Sequence, residues 1–120
     1  MRLFISYSSD DKSYVLELRR GLADDDGQHD VWIDRRLYGG QKWWDEILNQ
    51  IEQCECFIAI LSPRSVDSIY CNAELDYAFA LNKPVLPLSL KPVSLPEKLK
   101  SIQCTDISNA PLEKVLRRCE

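Results

Sequence analysis

Tyr70, Cys71 and Glu74 are residues whose types and spacing could do chemistry together. They lie in the stretch from Ser68 to Leu81, where Cys71, Leu75, Ala78 and Phe79 recur at three- and four-residue steps and mark one apolar stripe of a helix. Ser68 suits the N-cap, and Asn82-Lys83-Pro84 stops the helix, because proline restricts the residue before it. Glu74 then stands one turn beyond Tyr70 and Cys71, so an aromatic ring, a thiol and a carboxylate can share a face. From this helix alone, a solvated glutamate beside a partly packed tyrosine is the plainer account, since glutamate is seldom buried.

Other residue sets are quickly excluded. The chain has no GxGxxG and no GxxxxGK[ST], hence neither a dinucleotide fingerprint nor a P-loop. Its one histidine, His29, follows an Asp-Gly turn at the amino edge of the second expected strand, which is the wrong end for a triad. Five cysteines, at 54, 56, 71, 104 and 119, show no paired CxxC spacing. They read as small reduced thiols, with no metal site and no cofactor expected. Aspartyl phosphorylation would need acidic residues where Ser6-Tyr7 and Leu61-Ser62 stand. What remains is a lone carboxylate with aromatic and hydroxyl neighbours. Ordinary glycosidases need two carboxyl groups, one to protonate the leaving oxygen. A nicotinamide nucleotide is different, because its pyridinium departs neutral. One negative group beneath the ribose, steadying the oxocarbenium ion, carries most of that work. Tyr70 would offer a face for a flat ring.

The elements that must position these residues follow from periodicity. Arg2 to Ser6 reads as a strand buried on both faces, and Tyr7 to Asp11 as a polar loop. Asp10 or Ser9 is expected to cap a helix through Val15, Leu18 and Leu22, ending near the acidic run 24–26. Val31-Trp32-Ile33-Asp34 is the second strand. A loop from Arg35 to Lys42 follows, with Gly39-Gly40 giving it backbone freedom. Trp44, Ile47, Leu48 and Ile51 mark the next helix. Cys56 to Leu61 is the most continuous strand signal and is expected at the sheet's centre. Ser62 to Ser65 ends it, and the helix carrying Glu74 comes next. Val85-Leu86 opens a fourth strand, which Pro87 should end or bend early. A helical turn near Glu97 to Lys100, a weak fifth strand over 102–107 and a last helix through Leu112, Val115 and Leu116 complete the chain.

This alternation predicts one α/β domain over 1–120, with helices on both faces of a parallel sheet. The flavodoxin-like five-stranded order 2-1-3-4-5 is expected. In that order ligands bind at the carboxyl ends of the strands, where strands one and three diverge. Ser6, Tyr7 and the segment Ser62 to Ser65 meet there, and the helix bearing Glu74 starts beside them. Fifteen basic against nineteen acidic residues, a net charge of −4, offer no basic stripe for nucleic acid. No apolar run is long enough to span a bilayer, so a cytoplasmic protein is expected, with no membrane partner. A final helix so soon after the last strand suggests a domain excised from a longer protein.

Phe4-Ile5-Ser6-Tyr7-Ser8, Val31-Trp32-Ile33-Asp34, the strand into Leu61-Ser62-Pro63, and Tyr70-Cys71-Asn72-Ala73-Glu74-Leu75 are now in register. Together the chain resembles a TIR (Toll/interleukin-1 receptor) domain along essentially its whole length, with bacterial members the nearest in look. The resemblance implies the same flavodoxin-like fold. It also implies NAD+ glycohydrolase activity, giving nicotinamide and ADP-ribose or a cyclic isomer, with NAD+ as substrate rather than cofactor. Glu74 falls on the essential glutamate of the family's aromatic-Cys-x-x-Glu motif, with Tyr70 where tryptophan is usual. Ser6, Tyr7, Asp34, Trp44, Tyr70 and Cys71 are the implied substrate-binding residues, although the helical register of Trp44 also suits a core position. The loop with Arg35, Arg36, Leu37, Tyr38, Gly39 and Gly40 matches the BB loop, which mediates assembly with other TIR domains. The resemblance further implies activation on oligomerisation, driven by a sensor domain, and a part in antiphage defence. The alternative is a non-catalytic TIR–TIR module in which Glu74 is incidental. Glu74 facing an open cleft would suit the enzyme; Glu74 enclosed, with no crevice beside it, would suit the module.

Overall fold

The computed structural model of the protein describes residues 2–24, 30–33, 43–102 and 105–106. Strand and helix alternate: β1 (Arg2–Ser6), a 3-10 turn (Ser9–Asp11), α1 (Lys12–Asp24), β2 (Asp30–Ile33), α2 (Trp43–Gln53) and β3 (Cys56–Leu61) come first. Then follow α3 (Pro63–Asp67), α4 (Ile69–Ala80), β4 (Val85–Ser89), a second 3-10 turn (Glu97–Leu99) and β5 (Thr105–Asp106). The strands form one parallel sheet in the order β2-β1-β3-β4-β5, with β3 in the middle. This is the flavodoxin-like arrangement that the alternation predicts.

Successive side chains on a strand point to opposite faces, and that period builds two cores. Leu3 and Ile5 of β1 join Val31, Ile33, Ile58 and Ile60 under Val15, Leu18 and Leu22 of α1. Phe4 faces the other way and packs with Phe57, Ile47, Ile51, Leu75 and Ala78 beneath α2 and α4. The Phe4 ring is stacked between Trp32 and Phe57, at centroid distances of 5.2 and 5.3 Å. Ser6 has the same parity as Phe4, so it too faces the side covered by α2 and α4. Lys83 fastens these helices at their far ends, its Nζ donating to the carbonyls of Glu52 and Cys54 at 2.6 and 2.9 Å.

The structure corrects several sequence expectations. Ser8, rather than Ser9 or Asp10, is the capping residue; its hydroxyl accepts from the Asp10 amide and opens the 3-10 turn, and α1 starts only at Lys12. The segment that ends β3 adds a helix that periodicity did not mark. Ser62 and Ser65 form a capping box with Pro63 in the first turn, and this starts the short α3. Pro87 does not end β4, which pairs with β3 through Ser89. The Leu90 amide donates to the Leu61 carbonyl, so even-numbered residues of β4 aim their donors at β3. Pro87 therefore faces the β5 side, where the described pairing runs from Leu88, and the donor it lacks takes nothing from the pairing with β3. The fifth strand is described at Thr105–Asp106, and positions 103, 104 and 107 of its expected span lie outside the described residues. The stretch 34–42, His29 and the expected last helix lie outside the described residues.

Candidate functional site

α4 begins and ends as its sequence predicts. The Ser68 hydroxyl accepts from the Cys71 amide at 3.2 Å, and Asn82 takes a left-handed φ of 57° just past the last turn. Cys71, Leu75 and Ala78 are buried on the stripe, with Phe79 half-buried at its margin. Between them, Glu74 also points inward and has 0% of its surface exposed. Neither the solvated glutamate nor the glutamate facing an open cleft matches this placement. α4 crosses the carboxyl end of β1 here, and the carboxylate has no exposed surface.

The enclosed group is met by β1. The Ser6 hydroxyl, itself buried, donates to Glu74 Oε1 at 3.0 Å. A carboxylate removed from water needs such donors, because its desolvation is otherwise uncompensated. One residue on, the parity reverses. The Tyr7 side chain lies in the α1-side core, while its backbone carbonyl accepts from the Cys71 thiol at 3.4 Å. Tyr7 thus reaches this place through its main chain. Glu74, Ser6, Tyr7 and Cys71 are brought together where β1 and β3 diverge, at the switch point of the fold.

Tyr70 and Trp44 form the outer part of the cluster. Their rings lie 6.3 Å apart and tilted by 60°. Tyr70 is 47% exposed, whereas Trp44 is half-buried against the α2-side core, so both readings of Trp44 hold in part. Asp34 and the assembly-loop residues Arg35 to Gly40 lie outside the described residues. A crevice of about 20 Å3 beside the cluster is lined by Ser6, Ser65, Cys71, Asn72 and Leu75 among others. It has room for roughly one water molecule, not a nucleotide. A larger recess of about 210 Å3, lined by Arg2, Asp30, Gln50 and Gln53, sits at the amino ends of β1 and β2, the opposite end of the sheet. Among the described residues no three His, Cys, Asp or Glu side chains come together to hold a metal ion. None of their helices is long and apolar enough to cross a membrane.

Sequence reasoning passed over Asp11 and Lys91. Asp11 is buried, its Oδ2 accepting from the Ser62 hydroxyl at 2.6 Å and its Oδ1 from Lys91 Nζ at 3.3 Å. The next-door pair, Asp10 with Arg64 at 3.3 Å, is exposed and contributes little. The signal available for Asp11 was its place just past β1, on the loop that faces the switch point.

Comparison with known proteins adds the following. A family model described as TIR domain matches residues 3–118. Among solved structures, the TIR domain of the Toll-related receptor TRR-2 from Hydra magnipapillata superposes with a TM-score of 0.75 at 18% identity, covering 98% of this chain and 92% of that one. A CMP N-glycosidase from Clostridium botulinum, BcmB, gives 0.66 at 16% identity over 99% and 98% of the two chains. A 2-deoxyribosyltransferase from Leishmania mexicana gives 0.64 at 24% identity over 81% and 69%. At these identities the likenesses establish a shared fold. No curated protein matches the chain significantly.

Proposed function

Since the chain belongs to the TIR-domain family, we propose that it cleaves the nicotinamide–ribose bond of NAD+, with Glu74 as the catalytic carboxylate. The observation that carries this reading is the Glu74 carboxylate itself. It stands at the switch point paired with the Ser6 hydroxyl, where an apolar side chain would pack without any desolvation cost. Two proteins of the same fold are named as a CMP N-glycosidase and a 2-deoxyribosyltransferase, and this lends further support.

In the proposed reaction the bond from ribose C1′ to the ring nitrogen breaks, and its electron pair neutralises the pyridinium. Nicotinamide leaves without a proton. Glu74 faces the positive charge that develops on the ribose, and Ser6 fixes the carboxylate's direction. Water, or a hydroxyl or ring nitrogen of the product itself, then adds to C1′; water or a hydroxyl gives up a proton as it does. Tyr70, beside Trp44, offers a ring face to the nicotinamide, with Cys71 and the Tyr7 main chain next to it; Asp34, outside the described residues, is assigned to substrate binding from the resemblance alone. Among the described residues the crevice beside the cluster, about 20 Å3, is too small for a dinucleotide, and on this reading the mouth widens before chemistry. We assign that step to assembly with neighbouring TIR domains through the loop from Arg35 to Gly40, under control of a sensor domain. A cytoplasmic role in bacterial antiphage defence fits this scheme.

The test is to force oligomerisation and follow NAD+ by chromatography. Wild type is expected to release nicotinamide, and Glu74→Ala to release none; equal turnover by both removes the assignment. One observation favours a second reading, a non-catalytic assembly module: Glu74 has no exposed surface. That reading expects growth in light scattering on assembly, with NAD+ untouched in the same sample.

A further inference from the structure

The carboxyl ends of β1 and β3 are bridged by one buried carboxylate. Asp11 closes the 3-10 turn after β1, and only 1% of its side chain is exposed. It accepts from Ser62, the residue following β3, at 2.6 Å, and from Lys91, two residues past β4, at 3.3 Å. Loops from three strands are thus tied together across the gap where this fold admits ligands. The Ser62 hydroxyl also caps α3, accepting from the Ser65 amide at 3.4 Å. α3 in turn runs into α4 without a linker, because Ser68 is both the C-cap of one and the N-cap of the other. Whatever seats α3 therefore seats the first turn of α4, which carries Cys71 and, one turn on, Glu74.

We propose that Asp11, with Lys91 as its counter-ion, is a strap across this mouth that holds α3 and the start of α4 against β1 and so keeps Glu74 enclosed. The Lys91 side chain is 54% exposed, so water and salt reach the pair and weaken it. An apolar contact at the same place would not respond to salt in this way. Release of the strap lets the helix pair lift, and Asp11 thereby acts as a positioning residue, through Ser62, on a carboxylate it does not touch. That this governs turnover rests on the reading of Glu74 as the reacting group; the strap itself does not.

Two cysteines make the strap measurable without any activity. Cys71 is buried beside Glu74 with its thiol on the Tyr7 carbonyl, and Cys54 is buried at the opposite end of the sheet. The rate of N-ethylmaleimide labelling of each thiol, resolved by peptide mass spectrometry on the full chain under native conditions, reports opening at either end. Asp11→Asn is expected to label Cys71 about tenfold faster, as loss of a charge-assisted bond from the closed state implies, with Cys54 unchanged. Lys91→Met should shift Cys71 in the same direction by less. About 0.5 M NaCl should accelerate Cys71 in wild type but not in Lys91→Met. Acceleration of Cys71 and Cys54 in proportion would mean general destabilisation and overturn the strap, as would no change at Cys71. If Asp11→Asn fails to fold, Lys91→Met and the salt series decide by the same criteria. Faster Cys71 labelling with no nicotinamide release from forced assemblies would keep the strap and sink the glycohydrolase.

Discussion

A carboxylate with no exposed surface, such as Glu74, gives up its hydration on folding, and the Ser6 hydroxyl is one of the groups that answer it. Structure and chemistry therefore pull apart at this position. Glutamine has the same shape, still accepts from Ser6 and carries no charge to desolvate. Glu74→Gln keeps the acceptor for Ser6 and is expected to change the unfolding free energy by no more than roughly 1 kcal/mol in urea titrations. The same variant should lower nicotinamide release from forced assemblies by about 100-fold or more. A loss of several kcal/mol would instead mark Glu74 as a structural residue. Its candidacy was legible in the sequence, from its motif and its place near the switch point. Its burial was not, since helical spacing tells which residues share a stripe but not how tightly a strand end closes over it. Asp11 was less legible still: its partners lie 51 and 80 positions away, and no local pattern connects them.

The short elements around the site depend on their caps. Ser68→Ala removes the hydroxyl that accepts from the Cys71 amide, and should lower stability by about 1 kcal/mol in chemical denaturation. Hydrogen exchange of the α4 amides should quicken first in the opening turn. The five-residue α3 carries too little periodicity to be seen as a helix, yet Ser62-Pro63 with Ser65 spells its start, and that signal was readable. Pro87 taught the opposite lesson. Its missing donor mattered less than the side of β4 to which it points, which only the Leu90–Leu61 bond reveals. At the other end of the sheet, burial pushes the Cys54 thiol up from its ordinary 9.0, with nearby Lys83 opposing. The unfolded chain ionises this thiol first, so its contribution is full below pH 9.0 and is lost as pH rises through the folded value. Stability measured from about pH 8 to 10 should fall in wild type, and less steeply in Cys54→Ala, with Cys56 adding in the same direction.

Across the molecule, residue parity explains most of what the sequence could foretell. Odd and even positions of β1 feed two separate cores, and the same alternation delivers Ser6 to α4 and turns the Tyr7 side chain away. Five strands and their order followed from alternation and handed crossovers alone, before any side chain was placed. Assembly belongs to this scale as well. Replacing Gly39 and Gly40 by valine should abolish the rise in light scattering on forced clustering, because a β-branched residue narrows the loop's backbone choices. Circular dichroism should remain that of the folded domain. If scattering persists, contacts between copies run through another surface.

The paired rings at the edge of the site have an optical consequence. Trp44 stands 6.3 Å from Tyr70 at the outer rim, while Trp32 is locked in a stack on Phe4 in the interior. A pyridinium drawing near the rim would quench the emission of Trp44 and leave that of Trp32 almost untouched. On the proposed reading, Trp44 is then a native fluorescent indicator of occupancy and needs no attached dye.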